Sequence, residues 1–217
     1  MSAEAFVVSA GATPASVAVS RLPAWNDPMV IAADGGYLAA CALGYRITAL
    51  VGDFDSIRPD DLDGIDRSVT DVIAFASEKD ATDLELAIDE AIARGATRIC
   101  VVDAMQGRTD HFIASMMLLG AKKYSRIAMS ACLGSTRLWA TSPQQPCVVV
   151  AEIGATISIV ALGDAVGVST VGLRYPLDDE PLRAGTSRGV SNVCVASPVH
   201  VTLLKGALMV IDEGIIT

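Results

Sequence analysis

Ala49-Leu50-Val51-Gly52-Asp53-Phe54-Asp55-Ser56 is the stretch on which the reading of this chain turns. A short apolar run meets a glycine and then two aspartates two positions apart, and in an extended segment residues so spaced project to the same side. Farther along, Val72-Ile73-Ala74-Phe75 is followed by Lys79-Asp80-Ala81-Thr82-Asp83, so acids recur where strand-like runs stop. Two unit charges about 4 Å apart repel by ~4 kcal/mol at an effective dielectric near 20, so an enclosed cluster of this kind needs a cation. Mg²⁺ suits the task, because it is held by one or two carboxylates plus substrate phosphates and keeps several waters. Asp53 and Asp55 can grip one such ion together, and the plain alternative is an acidic turn in solvent. Asp83 falls in the first turn of a helix that Thr82 can cap, where a carboxylate also favours the helix dipole.

Outward from this stretch, other apolar runs end in the same manner. Phe6-Val7-Val8-Ser9-Ala10-Gly11 reads as a first strand, and Val30-Ile31-Ala32-Ala33 as a second that closes on Asp34-Gly35-Gly36 before the helix-forming Tyr37 to Leu43. Glycines there let a backbone approach a ligand, and N–H groups at a helix start hold phosphate; an ordinary turn capped by Asp34 has the same appearance. Ile99-Cys100-Val101-Val102 leads into Asp103-Ala104-Met105-Gln106-Gly107-Arg108-Thr109-Asp110-His111, and Ile127-Ala128-Met129 is a sixth strand. The Arg108 guanidinium can clamp a phosphate with two hydrogen bonds. Strand alternates with helix as far as about residue 130, the sign of a parallel α/β sheet that binds ligands beyond its carboxyl strand ends. After Gly134 helical periodicity stops and short β-rich runs follow, such as Cys147 to Val150, Thr156 to Val160, Val199 to Leu203 and Ala207 to Ile211. The expected fold is therefore α/β: a Rossmann-like parallel-sheet catalytic domain over residues 1–133, then an all-β sandwich domain over 134–217.

Composition narrows the function. The 217 residues are 52% hydrophobic and 19% charged, which marks a chain able to bury a core. A net charge of -9 and the lack of a Lys/Arg run argue against nucleic acid or anionic membrane as the main partner. Mean hydropathy is high at +0.47, yet no apolar run approaches the ~20 residues of a spanning helix, so the apolar residues are assigned to buried sheet. Glu4 and the lack of a basic start argue against a signal peptide, and a cytoplasmic location is expected. Five scattered cysteines without a C-x-x-C pair read as free thiols, and two distant histidines do not suggest zinc.

Taken together and in this order, Asp34-Gly35-Gly36, Gly52-Asp53-Phe54-Asp55-Ser56, Lys79-Asp80-Ala81-Thr82-Asp83 and Gly107-Arg108-Thr109-Asp110-His111 resemble the thiamine pyrophosphokinase family. Ser169-Thr170-Val171-Gly172-Leu173-Arg174-Tyr175-Pro176-Leu177 and Gly189-Val190-Ser191-Asn192 resemble segments of its β-domain, so the likeness covers nearly the whole chain. Gln106 departs from it, standing where many bacterial members carry a second glycine. The resemblance implies transfer of pyrophosphate from ATP to thiamine, giving thiamine diphosphate and AMP, by a homodimer whose site is shared between subunits. Asp53, Asp55, Asp80, Asp83, Arg108 and Asp110 would be catalytic, with Asp53, Asp55 and Asp80 holding Mg²⁺ and Asp83 or Asp110 as base. Asp34, Gly35, Gly36, Ser56, Lys79, Thr82, Gly107 and Arg108 would hold the nucleotide, and Tyr175, Ser191 and Asn192 the thiamine. The rival expectations are another metal-dependent phosphotransfer or phosphohydrolase enzyme, and a non-catalytic thiamine or nucleotide sensor.

Overall fold

Small and β-branched apolar residues build the strands of the first half: β1 (Ala3–Val8), β2 (Met29–Ala33), β3 (Ala49–Gly52), β4 (Asp71–Ala74), β5 (Ala96–Asp103) and β6 (Ala128–Leu133). Between them lie the helices α1 (Gly36–Ala42), α2 (Pro59–Asp63), α3 (Asp83–Ala93) and α4 (Thr109–Leu119). The second half is β7 (Thr136–Thr141), β8 (Cys147–Val149), β9 (Thr156–Ala161), β10 (Ala165–Val171), β11 (Glu180–Leu182), β12 (Asn192–Val193), β13 (Val199–Thr202) and β14 (Leu208–Gly214). This computed structural model describes residues 3–10, 12, 15, 17–103 and 108–216. Gly11, Gln106 and Gly107 lie outside the described residues. The chain divides into two compact units, Met1–Ser115 with Ala131–Gly134, and Met116–Ser130 with Ser135–Thr217.

In the first unit the strands stand in the order β4-β3-β2-β1-β5, followed by the end of β6 from Ala131. Every pairing from β4 to β5 is parallel, so the carboxyl ends of five strands share one edge. The interior strand residues Val7, Val8, Ile31, Ala32, Leu50 and Val51 are all buried, the near-continuous apolar pattern of strands covered on both faces. Helix α3 buries Leu84, Ala87, Ile88 and Ala91, a stripe spaced three and four apart, and packs on β1, β2, β3 and β5. The expected strands and the helices starting near Tyr37, Asp83 and Thr109 are present. The sixth strand is longer than Ile127 to Met129, and α2 is a helical turn within the acidic Pro59 to Asp66 stretch.

In the second unit antiparallel strands run in two sets, β12-β9-β14-β7, part of a ten-stranded sheet, and the four-stranded sheet β11-β10-β13-β8. Val149, Ile157, Ile159, Val168, Leu182, Val201, Leu208 and Val210 form one apolar cluster drawn from both sheets. No helix among the described residues is long and apolar enough to cross a membrane.

Candidate active site

Backbone geometry brings the acids of neighbouring strand ends together. The Asp34 N–H, one residue past β2, donates to the Val51 carbonyl of β3 at 2.8 Å, which seats Asp34 beside Gly52. A methyl group on Gly52 would lie 3.0 Å from Asp34 Cβ and 3.2 Å from Asp83 Oδ1, so glycine there permits the approach of both acids. At Gly36 an added carbon would fall 2.0 Å from the Val8 carbonyl oxygen, so only glycine lets the start of α1 press against the end of β1. Asp34 (φ 45°) and Phe54 (φ 63°) both adopt the left-handed conformation, a strain that tends to gather at functional sites.

As a result Asp34, Asp53 and Asp83 each offer one carboxylate oxygen to a cluster whose members lie within 4.8 Å of one another. Lys79 joins it, with Nζ 3.0 Å from Asp53 Oδ2 and 3.0 Å from Asp83 Oδ1. The Lys79 hydrogen bond is the main cause that holds the Asp53 carboxyl below the usual carboxylate range, with the Asp55 N–H and the Ser77 hydroxyl adding to it. Burial pulls the Lys79 ammonium down, but its bonds to Asp53 and Asp83 outweigh this and leave it raised. Three carboxylates against one ammonium leave a formal charge of minus two. Each carboxylate pair at such a separation repels by ~3 kcal/mol at an effective dielectric of 20, which one lysine cannot offset for all three. Asp34 Oδ1 is buried without a hydrogen-bond partner among the described residues. An all-oxygen donor set with an orphaned buried acceptor fits a hard divalent cation.

Of the acids expected to bind metal, Asp53 belongs to this cluster, while Asp55 and Asp80 are exposed and outside it. Asp55 accepts from the Ser56 hydroxyl at 3.0 Å, and Ser56 lies against Gly35, where an added carbon would be 3.4 Å from Ser56 Cβ. Thr82 Oγ1 accepts from Glu85 N at 3.3 Å and so caps α3. Arg108 and Asp110 grip each other through two hydrogen bonds of 3.1 and 2.6 Å, in the open. That guanidinium pushes the Asp110 carboxyl down to about 2.

In the second unit Tyr175 is exposed, Ser191 is exposed with φ 59°, and Asn192 is buried. Asn192 Oδ1 accepts from Tyr175 N at 3.0 Å, and its amide donates to Tyr175 O at 2.7 Å. A cavity of about 690 Å³ in the same unit, lined by Tyr124, Thr141 and Leu204 among others, contains none of the candidate site residues. Two members of the cluster fall outside the metal set expected from the sequence: Asp34, expected at the nucleotide, and Asp83, expected as a cap or base; Ser77, which bonds Asp53, has no expected role. Adjacency of β2 and β3 would have pointed to Asp34, and nothing in the motif marks Ser77.

Two family models match the chain: "Thiamin pyrophosphokinase, catalytic domain" over residues 23–130 and "Thiamin pyrophosphokinase, vitamin B1 binding domain" over residues 148–208. A thiamine pyrophosphokinase of Bacillus subtilis is 26% identical over 182 residues, 83% of this chain and 85% of that protein. Among solved structures, the crystal structure of a thiamine pyrophosphokinase from B. subtilis superposes with a TM-score of 0.79 at 22% identity, covering 98% of this chain and all of that one. That of Geobacillus thermodenitrificans gives 0.76 at 24% identity, over 96% of each chain. The one from Candida albicans gives 0.73 at 15% identity, over 97% of this chain and 89% of that one.

Proposed function

Because the chain belongs to the thiamin pyrophosphokinase family, we propose that it transfers pyrophosphate from ATP to the hydroxyl of thiamine, giving thiamine diphosphate and AMP. The observation that carries this reading to particular residues is the gathering of Asp34, Asp53, Asp83 and Lys79 at the carboxyl edge of a parallel sheet. The strand order 4-3-2-1-5-6 supports reading that sheet as Rossmann-like.

Asp34, Asp53 and Asp83 would hold Mg²⁺, which when bound supplies a Lewis acid for the developing phosphoryl charge. Asp55 and Asp80, on exposed turns, are available to an ion arriving with the nucleotide. Lys79 fixes the carboxylates and adds positive charge, and Arg108 exchanges Asp110 for phosphate oxygens. Gly35, Gly36 and Ser56 give close backbone approach at the end of β2, and Gly107 belongs to the same nucleotide-binding set. The thiamine oxygen bonds to the β-phosphorus while the bond from that phosphorus to the α-phosphate breaks, so AMP leaves. The hydroxyl proton passes to Asp83 or Asp110, the two carboxylates that the sequence offers as base. A loose transition state leaves most of the catalysis to positioning and electrostatics.

Tyr175, Ser191 and Asn192 form the thiamine subsite of this reading, in a homodimer whose subunits share each site. Five cysteines, none of them in a disulfide, support a reducing, cytoplasmic setting. Incubation with ATP, Mg²⁺ and thiamine, followed by chromatography, tests the reading. AMP and thiamine diphosphate should appear in equal amounts, and thiamine-independent release of inorganic phosphate would sink it in favour of a phosphohydrolase.

A further inference from the structure

We propose that Asn192 acts on thiamine through Tyr175, as a positioning residue that holds the tyrosine backbone and does not itself meet the substrate. This rests on the thiamine reading above. Tyr175 is 67% exposed, yet both polar groups of its backbone are held by one side chain, the Asn192 carboxamide. A carboxamide offers an acceptor and a donor side by side, as a peptide unit does, and here it takes the place of the strand that is missing. Gly172 accepts from Val195 and Ala196, Leu173 pairs with Cys194, and Arg174 N–H donates to Val193 O at 2.9 Å. At Tyr175 the backbone partners run out, because Asn192 pairs its own backbone with Ile157 of β9. The side chain completes the ladder.

Little of Asn192 remains for a ligand. Its Oδ1 also accepts from Val193 N at 2.9 Å, so three of the four bonds a carboxamide can make are used, on a residue 6% exposed. Ser191 is held in place by other means: its N–H donates to Ser158 Oγ at 3.0 Å. Gly189 before it lies so close to β9 that an added carbon would be 2.6 Å from the Ile159 carbonyl oxygen. The backbone of this loop is anchored, and the exposed Ser191 side chain faces outward from it.

The test is a double-mutant cycle read alongside amide exchange. Asn192→Ala should speed exchange at the Tyr175 amide and raise the thiamine KM about tenfold with kcat within about twofold, the pattern of lost binding rather than lost chemistry. Tyr175→Ala should raise KM by a similar factor, and adding Asn192→Ala to it should change KM no further. If Asn192→Ala raises KM by the same factor with Tyr175 absent, Asn192 contacts the substrate itself and the proposal is overturned. An unchanged Tyr175 amide overturns it equally. Should the alanine variant fail to fold, Asn192→Asp keeps the two accepted bonds, loses the donated one, and should show the same KM rise in smaller measure. A wild-type protein that does not turn over thiamine overturns the functional reading and the substrate half of this proposal, while exchange at Tyr175 still decides the positional half.

Discussion

Asp53 and Asp55 leave one strand end two positions apart but serve different surroundings, because Phe54 between them is left-handed and breaks the extended geometry that would align them. Asp53→Asn is therefore expected to lower turnover on the order of 100-fold and to raise the Mg²⁺ concentration needed for half-maximal rate, with Asp55→Asn milder on both counts. Equal losses in a Mg²⁺ titration of the two variants would contradict this. For Asp110 the expected observable is its own titration. With Arg108 in place the midpoint is about 2, and Arg108→Ala should return it toward the ordinary 3.8 in a carboxyl-carbon NMR titration. The folded value is the lower one, so the pair's stabilisation is present above pH 3.8 and fades as pH falls through about 2. Exposure keeps it small. These residues were legible as a group because carboxylates crowd around apolar runs; which of them meet was not, since that depends on strand neighbours and on one backbone angle.

At the scale of elements, strands and helices of the first unit were legible wherever an apolar run ended in glycine or acid. The start of β10 does not show in the sequence as a strand, and Gly167 inside it explains why: its φ is 68° and the register with β11 shifts between Ala165 and Val168, so no clean alternation survives. Nor does strand order follow from sequence order, and the return of β5 to the far side of β1 is visible only in the fold. Thr82 begins α3 as a cap, so Thr82→Ala should cost ~1 kcal/mol and lower the melting temperature by about 2–4 °C. An unchanged melting temperature with a raised KM for ATP would make Thr82 a nucleotide ligand instead. Gly52→Ala tests the strand end itself. The added carbon meets Asp34, so stability should fall by about 2 kcal/mol and Mg²⁺ affinity should fall with it, as denaturant unfolding with and without the ion would show.

For the molecule as a whole, a net charge of -9 opposes the approach of a nucleotide that is itself anionic. Raising salt from about 20 to about 200 mM at saturating Mg²⁺ should therefore increase kcat/KM for ATP about twofold, since screening weakens a repulsion here. A fall instead would mean that local cations govern the encounter. Refolding an Asp53→Asn chain together with a Tyr175→Ala chain tests the shared site. Assayed at thiamine far below KM, where each homodimer keeps at most about a tenth of the wild-type rate, and with random pairing, half the dimers are mixed and each carries one intact site, so about a quarter of wild-type activity should return. No recovery among verified heterodimers would place the site within one chain. The way the chain is divided between its units also bears on how such a gene can be inherited. A crossover after residue 115 leaves the first unit without Ala131–Gly134, and one after residue 134 takes Met116–Ser130 of the second along with it. No single exchange point passes on either unit whole and unmixed, so a chimera of two related genes joined here would always carry a foreign segment in one half.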